Sequence, residues 1–242
     1  MALVRLARFA IILLLIAVTI YLAWLWARDH PQDLPWTELD LSQPIGVFTG
    51  RKLTALTDAP AECKALLGRA GVRFTALPPL SARGGQCGYD DAVRVRGGGP
   101  ISIDYAPPAA ASCSVVAALS VWEWEVVQPA ALRLLGQPVV RIDTFGSYNC
   151  RRIGGGREGG WSEHATADAI DIAGFRLKDG RRITIAGDWA GEPADAAFLR
   201  ALRDGACDLF ATVLSPDYNA AHRDHLHLDQ ANRGRSGWRG CR

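Results

Sequence analysis

The longest unbroken apolar run in the chain extends from Phe9 to Ala27, relieved only by Thr19 and by the amphipathic Tyr21, Trp24 and Trp26. A run of about 20 residues crosses a bilayer as a helix, so residues 1–27 are expected to form a transmembrane anchor. Residues 28–59 are rich in Pro, Asp and Thr and read as a juxtamembrane linker. Beyond it the pattern becomes that of a folded domain, residues 60–242. Pro60 to Gly68 predicts a short helix closed by the glycine, and Val72 to Leu77 and Ala92 to Val95 predict strands around a Gly-containing loop. Together residues 60–106 form a small cap section. Apolar positions at Val116, Leu119, Trp122 and Val126 predict a helical stretch over Ala109 to Leu135, which Pro129 should kink and Gly136 should close. The Trp122 and Trp124 pair is expected in the core. Val139 to Phe145 alternates as a strand does, and so does Ala169 to Ala173. Lys178-Asp179-Gly180 carries hairpin chemistry, with a return strand over Arg182 to Ala186. Phe198, Leu202, Leu209 and Val213 place one stripe on a helix over Ala194 to Val213. Helices and short strands without βαβ alternation give an α+β class: a small antiparallel sheet with flanking helices behind one N-terminal transmembrane helix.

Charge settles orientation more than partners. The net charge of +2 is small and the arginines are scattered, which argues against a nucleic-acid partner. Arg5 and Arg8 precede the apolar run, while Arg28, Asp29 and Asp33 follow it. The bias puts the N-terminus in the cytoplasm and the domain outside: a single-pass inner (cytoplasmic) membrane protein with its main domain in the periplasm. A cleaved signal peptide would want small residues after the run; A-W-L-W-A fits poorly. All six cysteines, Cys63, Cys87, Cys113, Cys150, Cys207 and Cys241, follow the anchor. An even count in an exported chain predicts three disulfides. Nearness in sequence suggests Cys63 with Cys87, and the other pairings stay open.

The chemistry concentrates in two stretches, Trp161 to Phe175 (W-S-E-H-A-T-A-D-A-I-D-I-A-G-F) and His222 to Asp229 (H-R-D-H-L-H-L-D). On the first strand Ile170 and Ile172 point into a core and Asp171 points away. On the second, Leu226 and Leu228 share one face while His225, His227 and Asp229 share the other. A lone H-x-H on a strand is ordinarily surface. Here, however, four of the five histidines, His164, His222, His225 and His227, fall in these two stretches. If the strands are neighbours, two or three imidazoles and a carboxylate converge, a set that zinc accepts in catalytic sites. Gly154 to Gly160 holds five glycines without the G-K-[ST] ending of a phosphate loop. It reads as a mobile loop bordering the site.

These residues carry a resemblance. Ser162, His164, Ala169 and Asp171 match the S-x-H-x-x-G-x-A-x-D pattern of the LAS-type zinc peptidases (lysostaphin-like endopeptidases, D-alanyl-D-alanine peptidases and the hedgehog domain), with Ala167 where the pattern has Gly. The whole string, with Tyr148-Asn149-Cys150-Arg151 before it and H-x-D-H-L-H-L-D after it, resembles the bacterial extensin-like C-terminal domain family from about Cys63 to Cys241. The resemblance implies Zn2+ held by His164, Asp171 and His227, with His225 beside the metal as the catalytic proton carrier. It also implies that Tyr148 and Arg151 bind a substrate carboxylate. Some relatives use a Glu two residues upstream of a Trp-His; here that place is held by His225. Two functions remain: hydrolysis of peptide bonds in peptidoglycan, or a non-catalytic zinc-containing wall-binding module.

Overall fold

The computed structural model describes residues 2–81, 86–234 and 238–242. A single helix, α1 (Ala2–Asp29), leads the chain, and its Leu3–Asp29 portion is long and apolar enough to cross a bilayer. The domain then runs α2 (Thr49–Ala55), α3 (Pro60–Arg69), β1 (Val72–Ala76), β2 (Leu80–Ser81), β3 (Gly88–Tyr89), β4 (Val93–Gly98), β5 (Asp104–Ala106), β6 (Ala110–Ala111), α4 (Cys113–Trp122), α5 (Gln128–Leu135), β7 (Val139–Gly146), β8 (Ala169–Leu177), β9 (Arg182–Thr184), α6 (Ile185–Asp188), α7 (Pro193–Cys207), β10 (Thr212–Leu214), β11 (Leu226–Asp229) and β12 (Gly240–Cys241). This is a mixed helix-and-sheet architecture. The loop expected between the cap strands falls partly on residues 82–85, and the C-terminal tail partly on 235–237, both outside the described residues.

The central sheet is larger than the sequence suggests. Its order is β12-β10-β11-β8-β7-β5, with β9 also on β8. The inner pairs are antiparallel, but the edge pairs β5–β7 and β10–β12 are parallel. The two- and three-residue edge strands are too short to show a period in sequence. One edge of β8 is shared by two partners, residues 169–172 pairing with β11 and Gly174–Arg176 with β9, while β7 takes the other edge. Its register against β7 shifts between Asp143 and Thr144. Accordingly Ile170 and Ile172, then Phe175 and Leu177, all enter the same core. Trp122 and Phe198 pack on Phe175 there, and the Trp122 indole N–H donates to Leu202 O at 3.0 Å. Both tryptophans of the expected pair are buried.

The long helical stretch is broken as Pro129 requires. A π-helical turn, Glu123–Val127, separates α4 from α5, so that the proline enters α5 in its first turn, where a missing N–H is tolerated. Gly136 ends α5 in the left-handed conformation. Gly205 lets α7 approach this turn, since a Cβ there would meet Val126 Cγ1 at 2.5 Å. α7 stops at Cys207, short of the expected Val213. The Arg239 guanidinium donates to the carbonyls of Cys207 (3.1 Å) and Phe210 (2.7 Å) and satisfies the helix end. The β-branched Thr212 and Val213 then continue the apolar stripe as strand β10. Likewise the return strand ends at Thr184, whose hydroxyl accepts from Gly187 N and starts α6.

Two further expectations are corrected. The disulfides are Cys63–Cys113, Cys87–Cys150 and Cys207–Cys241, so Cys63 does not pair with Cys87. Cys63 faces the core from α3 opposite the start of α4, whereas Cys87 lies beside the loop after β7. Residues 28–59 are not a loose linker. Leu39, Leu41, Leu53 and Leu56 are buried in the main core, and Thr54 Oγ1 donates to Gln230 Oε1 at 2.6 Å, at the end of β11. Four well-spaced leucines outweigh the turn-forming composition.

Candidate metal centre

The site is built where β8 lies between β7 and β11. Asp171 faces His227 across β11 and Gly146 across β7. Leu226, Leu228, Ile170 and Ile172 anchor the opposite face in the core, so the register that buries them turns Asp171 and His227 outward together. His164 arrives from a 3-10 turn, Glu163–Thr166, whose N-cap Ser162 accepts from His164 N. Ala167 closes that turn at φ 61, the left-handed conformation that favours glycine. It is fully buried, and its carbonyl accepts from Ser112 N (2.9 Å) and Ser147 Oγ (3.2 Å).

His164 Nε2, Asp171 Oδ1 and His227 Nδ1 form a triangle with edges of 3.2, 3.0 and 3.1 Å. The outer ring nitrogens are committed elsewhere. His164 Nδ1 donates to Ser147 O at 2.5 Å, and His227 Nε2 donates to Asp229 Oδ2 at 3.2 Å. With those protons placed outward, the three inner atoms can present their lone pairs to one cation, or share a further proton among themselves. The triangle fits zinc: tetrahedral bonds of about 2.0–2.1 Å separate ligand atoms by roughly 3.3 Å.

The electrostatics agree. Burial alone would raise the Asp171 pKa, but hydrogen bonds and charge from His164 and His227 hold it below the usual carboxylate range. Burial opposes charge on His227, yet the Asp171 and Asp229 carboxylates outweigh it and push its pKa up to about 9. The site therefore draws a proton when it holds no metal. Burial, followed by the neighbouring His225 and His227, lowers His222 to about 4.

His225 stands beside the triangle, just before β11. Its Nε2 is 3.6 Å from Asp171 Oδ1 and its Nδ1 is 2.9 Å from Asp224 Oδ1. Its ring lies edge-on to Phe145, centroids 5.8 Å apart, and 5.2 Å from the His222 ring. Tyr148 and Arg151 follow β7 in a loop fastened by Cys87–Cys150. Tyr148 packs edge-on to Tyr89 at 5.4 Å, and Arg151 is close enough to His222 to act on its charge. Asp168, nearby in sequence, takes hydrogen bonds from Ser112 and Thr166, and burial raises it to about 6. The glycine-rich loop has a closed neck: Arg152 stacks on Trp161 at 4.5 Å and Ile153 N donates to Gly160 O at 3.0 Å.

Sequence reasoning gave no role to Asp229, Asp224, His222 or Phe145. The alternating phase of β11 put Asp229 on the His227 face and was the usable signal for it. Asp224 is adjacent in sequence to His225, and no periodicity marks such a pair. Phe145 is an exposed aromatic at a strand end, recognisable only once β7 is seen beside β8.

Fold and site thus define a mixed helix-and-sheet domain that gathers a His-Asp-His cluster on the face of its sheet opposite the core isoleucines and leucines. The chain belongs to the extensin-like protein C-terminus family, whose model matches residues 61–242. No curated protein and no solved structure matches it.

Proposed function

We propose that this is a membrane-anchored exported zinc metallopeptidase that hydrolyses peptide bonds of peptidoglycan stem peptides, with α1 in the inner membrane and the domain in the periplasm. The observation that carries the reading is the acceptor triangle of His164, Asp171 and His227, with both imidazoles oriented from outside. The likeness of S-x-H-(x)6-D and H-x-H to LAS-type peptidases supports it. Zinc in such a centre brings the pKa of water down to about 7 and polarises a carbonyl. The remaining work belongs to the chain. His225 Nε2 faces the triangle while Asp224 holds Nδ1, so Nε2 takes the proton of the attacking water and returns it to the leaving amine. Arg151, with Tyr148, receives a carboxylate of the stem peptide, for which a guanidinium fork is suited.

The test is purified full-length protein with its zinc content measured, offered crosslinked stem peptides, with products followed by mass. Cleavage should vanish on chelation and return with zinc. His225→Ala should keep zinc and lose turnover by about 10²–10⁴-fold. Zinc-loaded wild type that leaves wall peptides intact but sediments with sacculi overturns the peptidase and makes the domain a wall-binding module.

A further inference from the structure

We propose that Trp36 and Val47 form a lipid-contacting surface that seats the domain directly on the bilayer entered by α1; this rests on reading α1 as a membrane span. The chain does not trail away from the helix. Its exit turn is tied back, with His30 N donating to Trp26 O at 3.0 Å and Pro31–Asp33 forming a 3-10 turn. Lys52, from α2, then reaches under this turn. Its ammonium donates to Pro31 O (3.1 Å), Gln32 Oε1 (3.2 Å) and Thr37 Oγ1 (2.8 Å). Val47 N donates to Asp33 Oδ1 at 2.7 Å, and Phe48 N to Gln32 O at 3.0 Å. Thr37 Oγ1 also bonds to Leu34 O at 3.0 Å and to Pro31 O. Val47 and Thr37, the neighbour of Trp36, are thus both tied to the residues that leave the helix.

Distance places them at the membrane surface. The 27 residues Leu3–Asp29 rise roughly 40 Å at 1.5 Å each, against a hydrocarbon core of about 30 Å. The helix exit therefore lies at the headgroups. Asp33, four residues on, is within roughly 14 Å of it even if extended. In that zone Trp36 and Val47 are each 78% exposed, while Leu39, Leu41 and Leu53 of the same segment are buried. A tryptophan belongs at such an interface. Between Arg28 and Arg51 the chain carries four acids, Asp29, Asp33, Glu38 and Asp40, and no Lys or Arg, and Lys52 is engaged by Pro31, Gln32 and Thr37. The surface therefore inserts by apolar contact and needs no anionic lipid. Its effect is to fix the height and tilt of the domain, where a flexible tether would leave both free.

Full-length protein in zwitterionic phospholipid vesicles tests this. Tryptophan emission is compared between wild type and Trp36→Phe, with lipids brominated either near the headgroup or near the bilayer centre. The difference signal isolates Trp36; the signal left in Trp36→Phe includes Trp24 and Trp26. Expected are a blue-shifted Trp36 component, quenched by bromine near the headgroup and unchanged by added salt. A Trp36 component that emits as in water and escapes both quenchers, with Trp24 and Trp26 still quenched, overturns the lipid surface alone. Loss of quenching for all of them overturns the span and the surface together.

Discussion

Asp229→Asn isolates the outer support of the candidate metal triangle. Asp229 is buried, and its backbone is fixed by Thr212 on β10 and Ala169 on β8. Its Oδ2 accepts from His227 Nε2 at 3.2 Å and its Oδ1 from Ala231 N at 3.0 Å. Asparagine keeps the volume but offers one acceptor where two are needed. If its oxygen faces His227, its amide hydrogens meet the Ala231 N–H, and a buried donor is left unpaired. If its amide faces His227, Nε2 must accept and the ring proton moves to Nδ1, into the triangle. Either way zinc affinity falls. Loss of such an outer partner costs about 10–100-fold, or roughly 1.4–2.7 kcal/mol. The assay is zinc titration against a competing chelator, paired with the gain in melting temperature on adding zinc, which should shrink in proportion. Asp224→Asn is the control, because Asp224 holds His225 and no triangle member; its zinc affinity should stay at the wild-type value. Equal zinc affinity for Asp229→Asn and wild type would refute the tautomer argument and with it the triangle as a preorganised metal site.

Burial of Glu123 in the π-turn pushes its pKa from 4.5 up to about 8, against the opposing hydrogen bond from Tyr105. The folded state then holds a proton that the unfolded state releases between those values. Stability falls as pH rises through that window, by up to about 1.4 kcal/mol per pH unit. Glu123→Gln cannot ionise and should flatten this slope; urea unfolding across the window checks it, and parallel slopes for the two proteins would contradict it. The three disulfides take up every cysteine. Thiol labelling of denatured, unreduced protein should therefore find no free sulfhydryl, and reduction should release Cys63 with Cys113, not with Cys87.

What was legible in the sequence follows the range of the signal. Local periodicity located α4, α7, β7 and β8, whose apolar positions recur over enough residues to show a period, while Pro60 and Gly68 pointed to α3. Pro129 and Gly136 marked the break and the end of the long helical stretch, since both act through their own backbone. The misses are non-local. The end of α7 is set by Arg239, some thirty positions later, and the parallel edge strands by partners far along the chain. The packed segment 28–59 was hidden because its prolines and acids are strong local turn signals. Its four leucines acquire meaning only against a core made elsewhere.

The site shows the same division more sharply. Asp171 and His227 could be singled out because strand alternation is a local rule that fixes which face each side chain takes, whereas His164, on a 3-10 turn, was marked by the motif resemblance. The pairing of His227 with Asp171 followed from the isoleucines and leucines on the other face, which tolerate only one phase. What no alternation encodes is the direction of a ring proton. That is decided by Ser147 O and Asp229 Oδ2, and Ser147 is positioned by the loop after β7. Ala167 belongs to the same logic. A left-handed alanine is strained by about 1–2 kcal/mol, but its carbonyl collects Ser112 and Ser147 behind His164. The turn that delivers His164 is thus held by surrounding bonds against its own preference. A site whose geometry is imposed from outside in this way is read from sequence as a set of candidate ligands, and from structure as an arrangement that orients their side chains.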